Sequence, residues 1–539
     1  MHLESGACKI APLIKLVTAA LNNLVARLRP LRLPRVCVAV TGADPAEMLD
    51  KADALVRDNT FLEFRLDYLP RPVLALPKIK QFTEYHPHVV LIATCRRAGN
   101  GGKFQGSIAS QLDILWRAAA AGCQLLDLEL QSAAHTKLEA LNRLRSAASL
   151  ILSYHDFHAT KNLEETLGRM VVFPADFYKV VTTANTLYDN VEMMKFIERN
   201  SDRYSLIGLC MGEQGIISRV LGLRAGSIFT FAAVSEDEKT APGQITAREL
   251  QSTYRVEHVD APTRVYGVVG NPVAHSLSPA VMNAALRRET VNAVYLLLHA
   301  KTLKDLLACV RDIPIHGLSV TMPYKEKIIE YLDNTDTHTT KIGACNTVVR
   351  AQDGKLYGFN TDTAGVVRPL QQRLELENAK VLVLGAGGAA RAAVFGLKER
   401  GAEVSILNRT PGPAQKLARS ARARTIKRSD LPKQFFDVIV NATPVGMGNT
   451  RESPLNQNEI RARYVFDMIY DPVETRLLKL AKAAGAQVIP GLEMFIHQAA
   501  RQFEIWTGKP APLAEMFSVV TKALAEREAI RQAAENKRH

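Results

Sequence analysis

From Arg35 to about Arg255, short runs of β-branched and other apolar residues alternate with amphipathic stretches of helical period. That alternation builds a parallel sheet with crossover helices. Eight strand candidates stand out: RVCVAVT, FLEFRLD, VVLIATCR, QLLDLEL, LILSYHDF, FYKVVTTA, SLIGLCMG and SIFTFAA. Eight β/α units in a stretch of this length fit a closed (β/α)8 barrel, whose inward side chains fill the interior. Such a barrel carries its chemistry at the carboxyl ends of its strands. There the sequence places Glu63, Arg65 and Asp67 on the second strand, Arg96 on the third, Asp127 and Glu129 on the fourth, His155 and Asp156 on the fifth, and Lys179 within the sixth. One or two such residues would be ordinary loop solvation; a convergent set of this size marks a site.

Around residues 256–264, EHVDAPTR reads as a short polar linker, after which a new series begins. RVYGVVG, the helix-like SPAVMNAALRR, VYLLLHA and GLSVTMP form a small α/β unit. It is followed by a hairpin, CNTVVRAQDGKLYGFN, turning at Asp353 and Gly354. From Lys380 a second α/β pattern runs through KVLVLGAGGAARAAVFGLKERG, EVSILNRT, FDVIVNATP and YVFDMIY. The stretch from Gly491 to about Glu528 is helical and is expected to pack back across the earlier domain. Gly385, Gly387 and Ala390 fall between the strand KVLVL and a helical run, matching G-x-G-x-x-A in the context that gives it meaning as a dinucleotide loop. After EVSIL come Asn408, Arg409 and Thr410, where an acidic residue would serve the ribose of NAD; a cation suits the 2′-phosphate of NADP.

At 539 residues the chain is long enough for two or three domains. It contains no run of roughly 18 to 20 apolar residues of the kind that spans a membrane. The net charge of +14 is as compatible with anionic small molecules as with nucleic acid, and no nucleic-acid partner is expected. Seven scattered cysteines, without C-x-x-C and odd in number, argue against a disulfide framework or a structural zinc site and for a reducing, cytoplasmic setting. No metal is expected. Residues 1–33 are basic and acid-poor like a transit peptide, but they lack the serine content and cleavage pattern of one and read as a basic helical extension, with organelle targeting the alternative.

From Val265 to about Ala525 the chain resembles shikimate dehydrogenase, through GNPVAHSLSPAVMNAA, GLSVTMPYKE, IGACNTV, GFNTD, GAGGAARA, NRT, NATPVGM, DMIYDPVET and PGLEMFIHQAARQFEIWTG. The resemblance implies that Lys325 and Asp362 are the polar pair beside the carbon that accepts hydride. It further implies that Ser276 and Ser278 hold the substrate carboxylate, that Thr321, Asn346 and Gln498 contact ring hydroxyls, and that Tyr470 approaches the carboxylate side. Gly385, Ala386, Gly387, Gly388, Ala389, Asn408, Arg409, Thr410 and Gly491 would meet NADP. Ser319 stands where many relatives carry Asn, a departure that could move a substrate-side hydrogen bond.

From Val36 to about Leu250 the chain resembles type I 3-dehydroquinate dehydratase, through EFRLD, TCRR, DLEL, SYHDF, DFYKVV, CMGEQGIISR, FTFAA and TAPGQ. That resemblance implies a Schiff-base lysine at Lys179, made reactive by desolvation in the apolar strand FYKVV, and a general acid/base at His155. Glu63, Arg65, Arg96, Arg219, Thr240 and Gln244 would surround the substrate, with Met211 and Phe231 as wall residues and the A-P-G-Q loop as a lid. Arg219 is expected to meet the carboxylate.

The two resemblances interlock, because the dehydration product, 3-dehydroshikimate, is the substrate of the reductase. They imply an α/β chain with an N-terminal (β/α)8 barrel over 34–255 and a two-domain shikimate-dehydrogenase-like unit. That unit would comprise a substrate domain over 264–365, a Rossmann-type NADP domain over 366–489 and returning helices over 490–528. The expected substrates are 3-dehydroquinate, 3-dehydroshikimate and shikimate. The alternatives are a quinate or polyol dehydrogenase in the second half, or a regulatory protein that binds these ligands without turning them over.

Overall fold

The computed structural model describes residues 33–273, 276–313, 315–448 and 451–536. Apart from Leu33, the basic extension expected over 1–33 lies outside the described residues.

Eight strands form one parallel sheet: β1 (Val36–Val40), β2 (Phe61–Arg65), β3 (Val90–Thr94), β4 (Leu125–Glu129), β5 (Ser149–His155), β6 (Phe177–Thr183), β7 (Leu206–Met211) and β8 (Thr230–Ala233). The order β7-β6-β5-β4-β3-β2-β1-β8 curls the sheet round until only β7 and β8 remain unladdered. That gap is bridged where the Ile228 amide donates to the Leu206 carbonyl (2.9 Å), so the barrel is nearly closed. β8 starts three residues later than the run SIFTFAA suggests, because Ser227 turns its hydroxyl to accept the Gly208 amide (3.1 Å). Side chains alternate across each strand. Cys37, Phe61, Ile92, Leu125, Ile151, Ile207 and Phe229 plug the interior, while Glu63, Asp127 and Ser153, two positions further along β2, β4 and β5, share that inward face nearer the carboxyl ends.

The second sheet is mixed and runs β10-β9-β11-β13-β14-β12. Its strands are β9 (Arg264–Gly270), β10 (Ala293–His299), β11 (Ile315–Val320), β12 (Asn334–Thr335), β13 (Thr347–Arg350) and β14 (Leu356–Phe359). β13 and β14 are the expected antiparallel hairpin, and Gly354 takes the positive φ of +82° that its turn demands. The third sheet is wholly parallel in the order β17-β16-β15-β18-β19-β20. It comprises β15 (Lys380–Leu384), β16 (Glu403–Leu407), β17 (Arg424–Thr425), β18 (Phe436–Asn441), β19 (Ala462–Asp467) and β20 (Gln487–Ile489). The last two helices, Gly491–Thr507 and Leu513–Asn536, return as expected and lay Phe495, Phe503, Trp506, Met516 and Val520 against Tyr266 and Tyr295 of the second sheet. No helix among the described residues is long and apolar enough to cross a membrane.

The segment 256–264 is not the loose polar linker that its composition suggests. Val256 and Val259, spaced to share one face, are both buried, Arg35 Nη1 donates to the Val259 carbonyl (2.8 Å), and Asp260 accepts from Asn292 (3.1 Å). The two apolar side chains seat the segment in a seam between barrel and second sheet. Across that seam one continuous apolar cluster joins Val191 and Met194 of the barrel to Val265, Leu298, Leu306 and Cys309. Asp305 caps the Tyr188–Asn200 helix of the barrel by accepting the Leu187 amide (2.9 Å), and Asp312 accepts from Tyr188 Oη (2.7 Å) and Lys195 Nζ (3.0 Å).

Candidate active sites

Lys179 is buried on β6, inside the barrel. Its Nζ donates to Asp127 Oδ2 at 2.9 Å, lies 3.8 Å from Glu63 Oε1 and stands 3.8 Å above the Phe231 ring centre. This differs from the apolar slot expected from FYKVV: the flanking valines are apolar, but neighbouring strands bring two carboxylates to the amine, and ammonium and carboxylate stabilise each other in a low-dielectric interior. Asp127 also accepts from Ser153 Oγ (2.6 Å) and faces Arg96 Nη2 (3.6 Å). Burial alone would raise the Asp127 carboxyl, but the charges of Lys179 and Arg96 hold it well below the usual carboxylate range.

The strand register pairs Ser153 with Lys179 and His155 with Val181, which puts the imidazole one inward position beyond the amine. Burial, then the charges of Arg96 and Lys179, push the His155 imidazole well below its ordinary value, so it is neutral at neutral pH. Its ring stacks on Phe157 with centroids 6.1 Å apart.

Around this pair, Glu63 accepts from Thr94 Oγ1 (2.6 Å), and Arg65 is forked onto Asp67 through Nε (3.0 Å) and Nη2 (2.9 Å). Arg219 is 1 % exposed, yet its Nε has no partner and its Nη2 reaches only the Pro242 carbonyl, at 3.4 Å. Burial lowers its guanidinium to about 10. A buried cation so poorly matched by protein groups is prepared for an anion. Pro242 belongs to the loop in which Gln244 Oε1 accepts from the Thr240 amide (2.8 Å) and Thr240 Oγ1 (3.1 Å). Met211 is buried beside Phe229 and Phe231.

In the second half, Lys325 Nζ meets Asp362 Oδ2 at 2.5 Å. Asn346 Nδ2 donates to Asp362 Oδ1 (2.7 Å), and the Thr361 amide donates to Asn346 Oδ1 (2.8 Å). Gln498 faces Asn346 at 3.5 Å. Tyr470 is half-buried against Phe495, with ring centroids 4.7 Å apart. Ser276 Oγ accepts the Ser278 amide (3.2 Å) at the start of the Ser278–Arg288 helix, and Thr321 follows β11, its amide bound to the Val269 carbonyl (2.9 Å).

A cleft of about 1810 Å³ runs from Lys325 along Gly385, Ala386, Gly387, Gly388 and Ala389 to Asn408 and Arg409. Gly385 has φ +111°, nothing lies within 4 Å of where a Gly387 side chain would begin, and a Cβ on Gly388 would sit 3.8 Å from Lys325 Cδ. Bare backbone at the start of the Gly388–Glu399 helix, opening onto a long cleft with a guanidinium on its wall, fits a dinucleotide carrying an extra phosphate. Thr410 and Gly491 do not line this cleft. The Thr410 carbonyl accepts from Asn408 Nδ2 (2.8 Å), and a Cβ on Gly491 would come within 2.4 Å of the Ile469 backbone, which accounts for that glycine by packing.

Four families match in order along the chain: Type I 3-dehydroquinase over residues 36–261, the shikimate dehydrogenase substrate binding domain over 268–348, Shikimate / quinate 5-dehydrogenase over 369–468, and the Shikimate 5'-dehydrogenase C-terminal domain over 491–519. The chloroplastic bifunctional 3-dehydroquinate dehydratase/shikimate dehydrogenase of Arabidopsis thaliana is 33% identical over 506 residues, covering 88% of this chain and 83% of that protein. The chain belongs to this bifunctional family. The NADP(+) shikimate dehydrogenase of Methanocella arvoryzae is 42% identical over 271 residues, 48% of this chain and 99% of the relative. A crystal structure of the Thermus thermophilus shikimate 5-dehydrogenase with NADP(H) and shikimate is 36% identical, with a TM-score of 0.46, over 49% of this chain and 100% of that one.

Membership in the bifunctional family gives the chain two activities, 3-dehydroquinate dehydratase and shikimate dehydrogenase, matched to the barrel and to the residues beyond it. The motifs revealed the side chains expected to touch ligand but not those behind them. Ser319, the departure noted in the sequence, is engaged by protein groups: its hydroxyl accepts from Tyr295 Oη and donates to Gln502 Oε1, both at 2.6 Å. Gln502 lies one turn beyond Gln498 on the same helical face, and that spacing is the signal that could have found it.

Proposed function

We propose that residues 34–255 dehydrate 3-dehydroquinate through a Schiff base on Lys179, and that residues 264–528 reduce the resulting 3-dehydroshikimate to shikimate with NADPH, in a reducing cytoplasmic setting. The substrate domain is taken as 264–365, the cofactor domain as 366–489 and the returning helices as 490–528. The observation that carries this reading is the Lys179 amine one inward position from a neutral His155.

In the first reaction Lys179 gives up a proton and its Nζ attacks the C3 carbonyl; loss of water then leaves an iminium. His155 takes the C2 proton and returns it to the C1 hydroxyl as that group departs as water. Hydrolysis of the iminium frees the enone and restores the amine. Arg219 receives the carboxylate, which supplies the anion its buried guanidinium lacks. Asp127 keeps an anion beside Nζ, so positive charge on amine or iminium is balanced throughout. Glu63, Arg65, Arg96, Thr240 and Gln244 close round the ring.

In the second reaction the cleft from Gly385 to Arg409 would hold NADPH, which when bound would supply the hydride. Lys325 donates the proton that the new alkoxide requires, and Asp362 orients the ammonium. Ser276, Ser278 and Tyr470 face the carboxylate, while Thr321, Asn346 and Gln498 hold ring hydroxyls.

Lys179→Ala should abolish borohydride trapping of 3-dehydroquinate and dehydration while sparing the dehydrogenase, and Lys325→Ala should do the converse, with a loss of about 10² or more in turnover. Mass spectrometry of the reduced enzyme decides the first step. An adduct on any side chain other than Lys179 would overturn it.

A further inference from the structure

Behind the Lys325–Asp362 pair a buried chain of side chains leads to Asn346, and its other members, Tyr295, Ser319, Gln502 and Thr347, have none of the ligand roles given above. Tyr295, Ser319, Gln502, Thr347 and Asn346 are each at most 7 % exposed. Tyr295 Oη meets Ser319 Oγ at 2.6 Å and Ser319 Oγ meets Gln502 Oε1 at 2.6 Å. Gln502 Nε2 meets the Asn346 carbonyl and Thr347 Oγ1, both at 3.0 Å, and Thr347 Oγ1 meets Asn346 Oδ1 at 2.8 Å.

Two backbone groups fix the direction of every bond. A peptide carbonyl only accepts, so the Gln502 atom facing the Asn346 carbonyl is the amide nitrogen and its oxygen faces Ser319. Ser319 must then donate to Gln502, and its remaining contact accepts from Tyr295. At the other end, the Thr361 amide only donates, so the Asn346 atom facing it is Oδ1 and Nδ2 is left for Asp362. Burial pushes the Tyr295 phenol upward, so it remains a donor across the working pH range.

We propose that Ser319 and Gln502 are positioning residues of the dehydrogenase, fixing the Asn346 amide so that it holds one oxygen of Asp362 and leaves the other for Lys325. In this role Ser319 acts through its bonds to Tyr295 and Gln502 and not by touching substrate. Without the relay the Asn346 oxygen would keep the Thr361 amide but lose the oriented Thr347 hydroxyl, and a looser amide would spread the Lys325–Asp362 geometry on which proton delivery depends. This inference rests on Lys325 and Asp362 being the reducing pair.

The test uses the full-length chain, whose dehydratase turnover reports folding in the same tube. For shikimate oxidation, Ser319→Ala should lower kcat about tenfold with KM changed by less than about twofold, as expected for a misplaced catalytic group rather than a lost contact. It should also shift the ionisation seen in the pH profile of kcat, and Ser319→Thr, which keeps the hydroxyl, should restore both. A raised KM with kcat and pH profile unchanged would make Ser319 a substrate contact and overturn the proposal; so would wild-type kinetics in Ser319→Ala, or Ser319→Thr as slow as Ser319→Ala. Should Ser319→Ala lose dehydratase activity as well, Tyr295→Phe, which removes one hydroxyl, is read by the same criteria. Lys325→Ala separates the two levels: full dehydrogenase turnover in that variant sinks the assignment of the pair. A dead Lys325→Ala beside a wild-type Ser319→Ala sinks the relay alone.

Discussion

Position 155 shows how a barrel tunes one side chain. Its imidazole is neutral because burial and the Arg96 and Lys179 charges oppose protonation. The folded value lies below the unfolded one near 6.5, so between the two the unfolded chain binds the extra proton. Stability is therefore complete above about pH 6.5 and is lost as pH falls below it. The thermal midpoint should drop between pH 7 and pH 5 in the wild type and less in His155→Gln; parallel curves would remove His155 as the cause. Asp127, depressed in the folded state, acts with the same sign further down, below the ordinary carboxylate value of about 3.9. At Arg409, substitution by Asp should weaken NADPH relative to NADH by on the order of tenfold or more, the weight of a charge-assisted contact. Equal losses in the two binding titrations would refute the 2′-phosphate assignment. The pairing of Lys179 with His155 and of Lys325 with Asp362 could be anticipated because each residue lies in a distinctive motif. The ion-paired state of Lys179 could not, since it depends on Glu63 and Asp127 from other strands.

Strands buried on both faces betray themselves as continuous apolar runs, and for that reason β1 to β7, β15 and β16 were readable nearly residue by residue. Two- and three-residue strands such as β12, β17 and β20 are too short to show a period. Loops carry a different constraint. Gly243 has φ +68°, and a Cβ there would fall 2.0 Å from the Gly212 carbonyl oxygen, while the Gly212 amide donates to Pro242 (2.9 Å). The 240–244 loop is thereby latched to the turn after β7 by main-chain contact. Gly243→Ala should break the latch, at a strain of roughly 1–3 kcal/mol. KM for 3-dehydroquinate should rise several-fold and limited proteolysis within 239–244 should quicken, with dehydrogenase kinetics unchanged. Unaltered cleavage would show that the loop is held by other means.

At the scale of the whole molecule, composition misdirected the reading of residues 256–264. Its charged and polar letters outnumber Val256 and Val259, yet those two valines decide where the segment lies, because each buried apolar side chain is worth about 1.5–3 kcal/mol. The seam they enter continues through Leu306 and Cys309 and is edged by Asp305 and Asp312. Halves produced separately, cut near residue 260, should each melt below the intact chain and bind a dye that reports exposed apolar surface. Equal melting temperatures would mean the seam adds nothing.

A hinge would let one head swing toward the other and hand over its cargo. Packed valines oppose that gesture, so the gap an enone must cross should be set by the fold and not averaged over tether motion. Transit time should therefore scale with solvent viscosity, and padding the junction with glycine should loosen the architecture without hastening delivery.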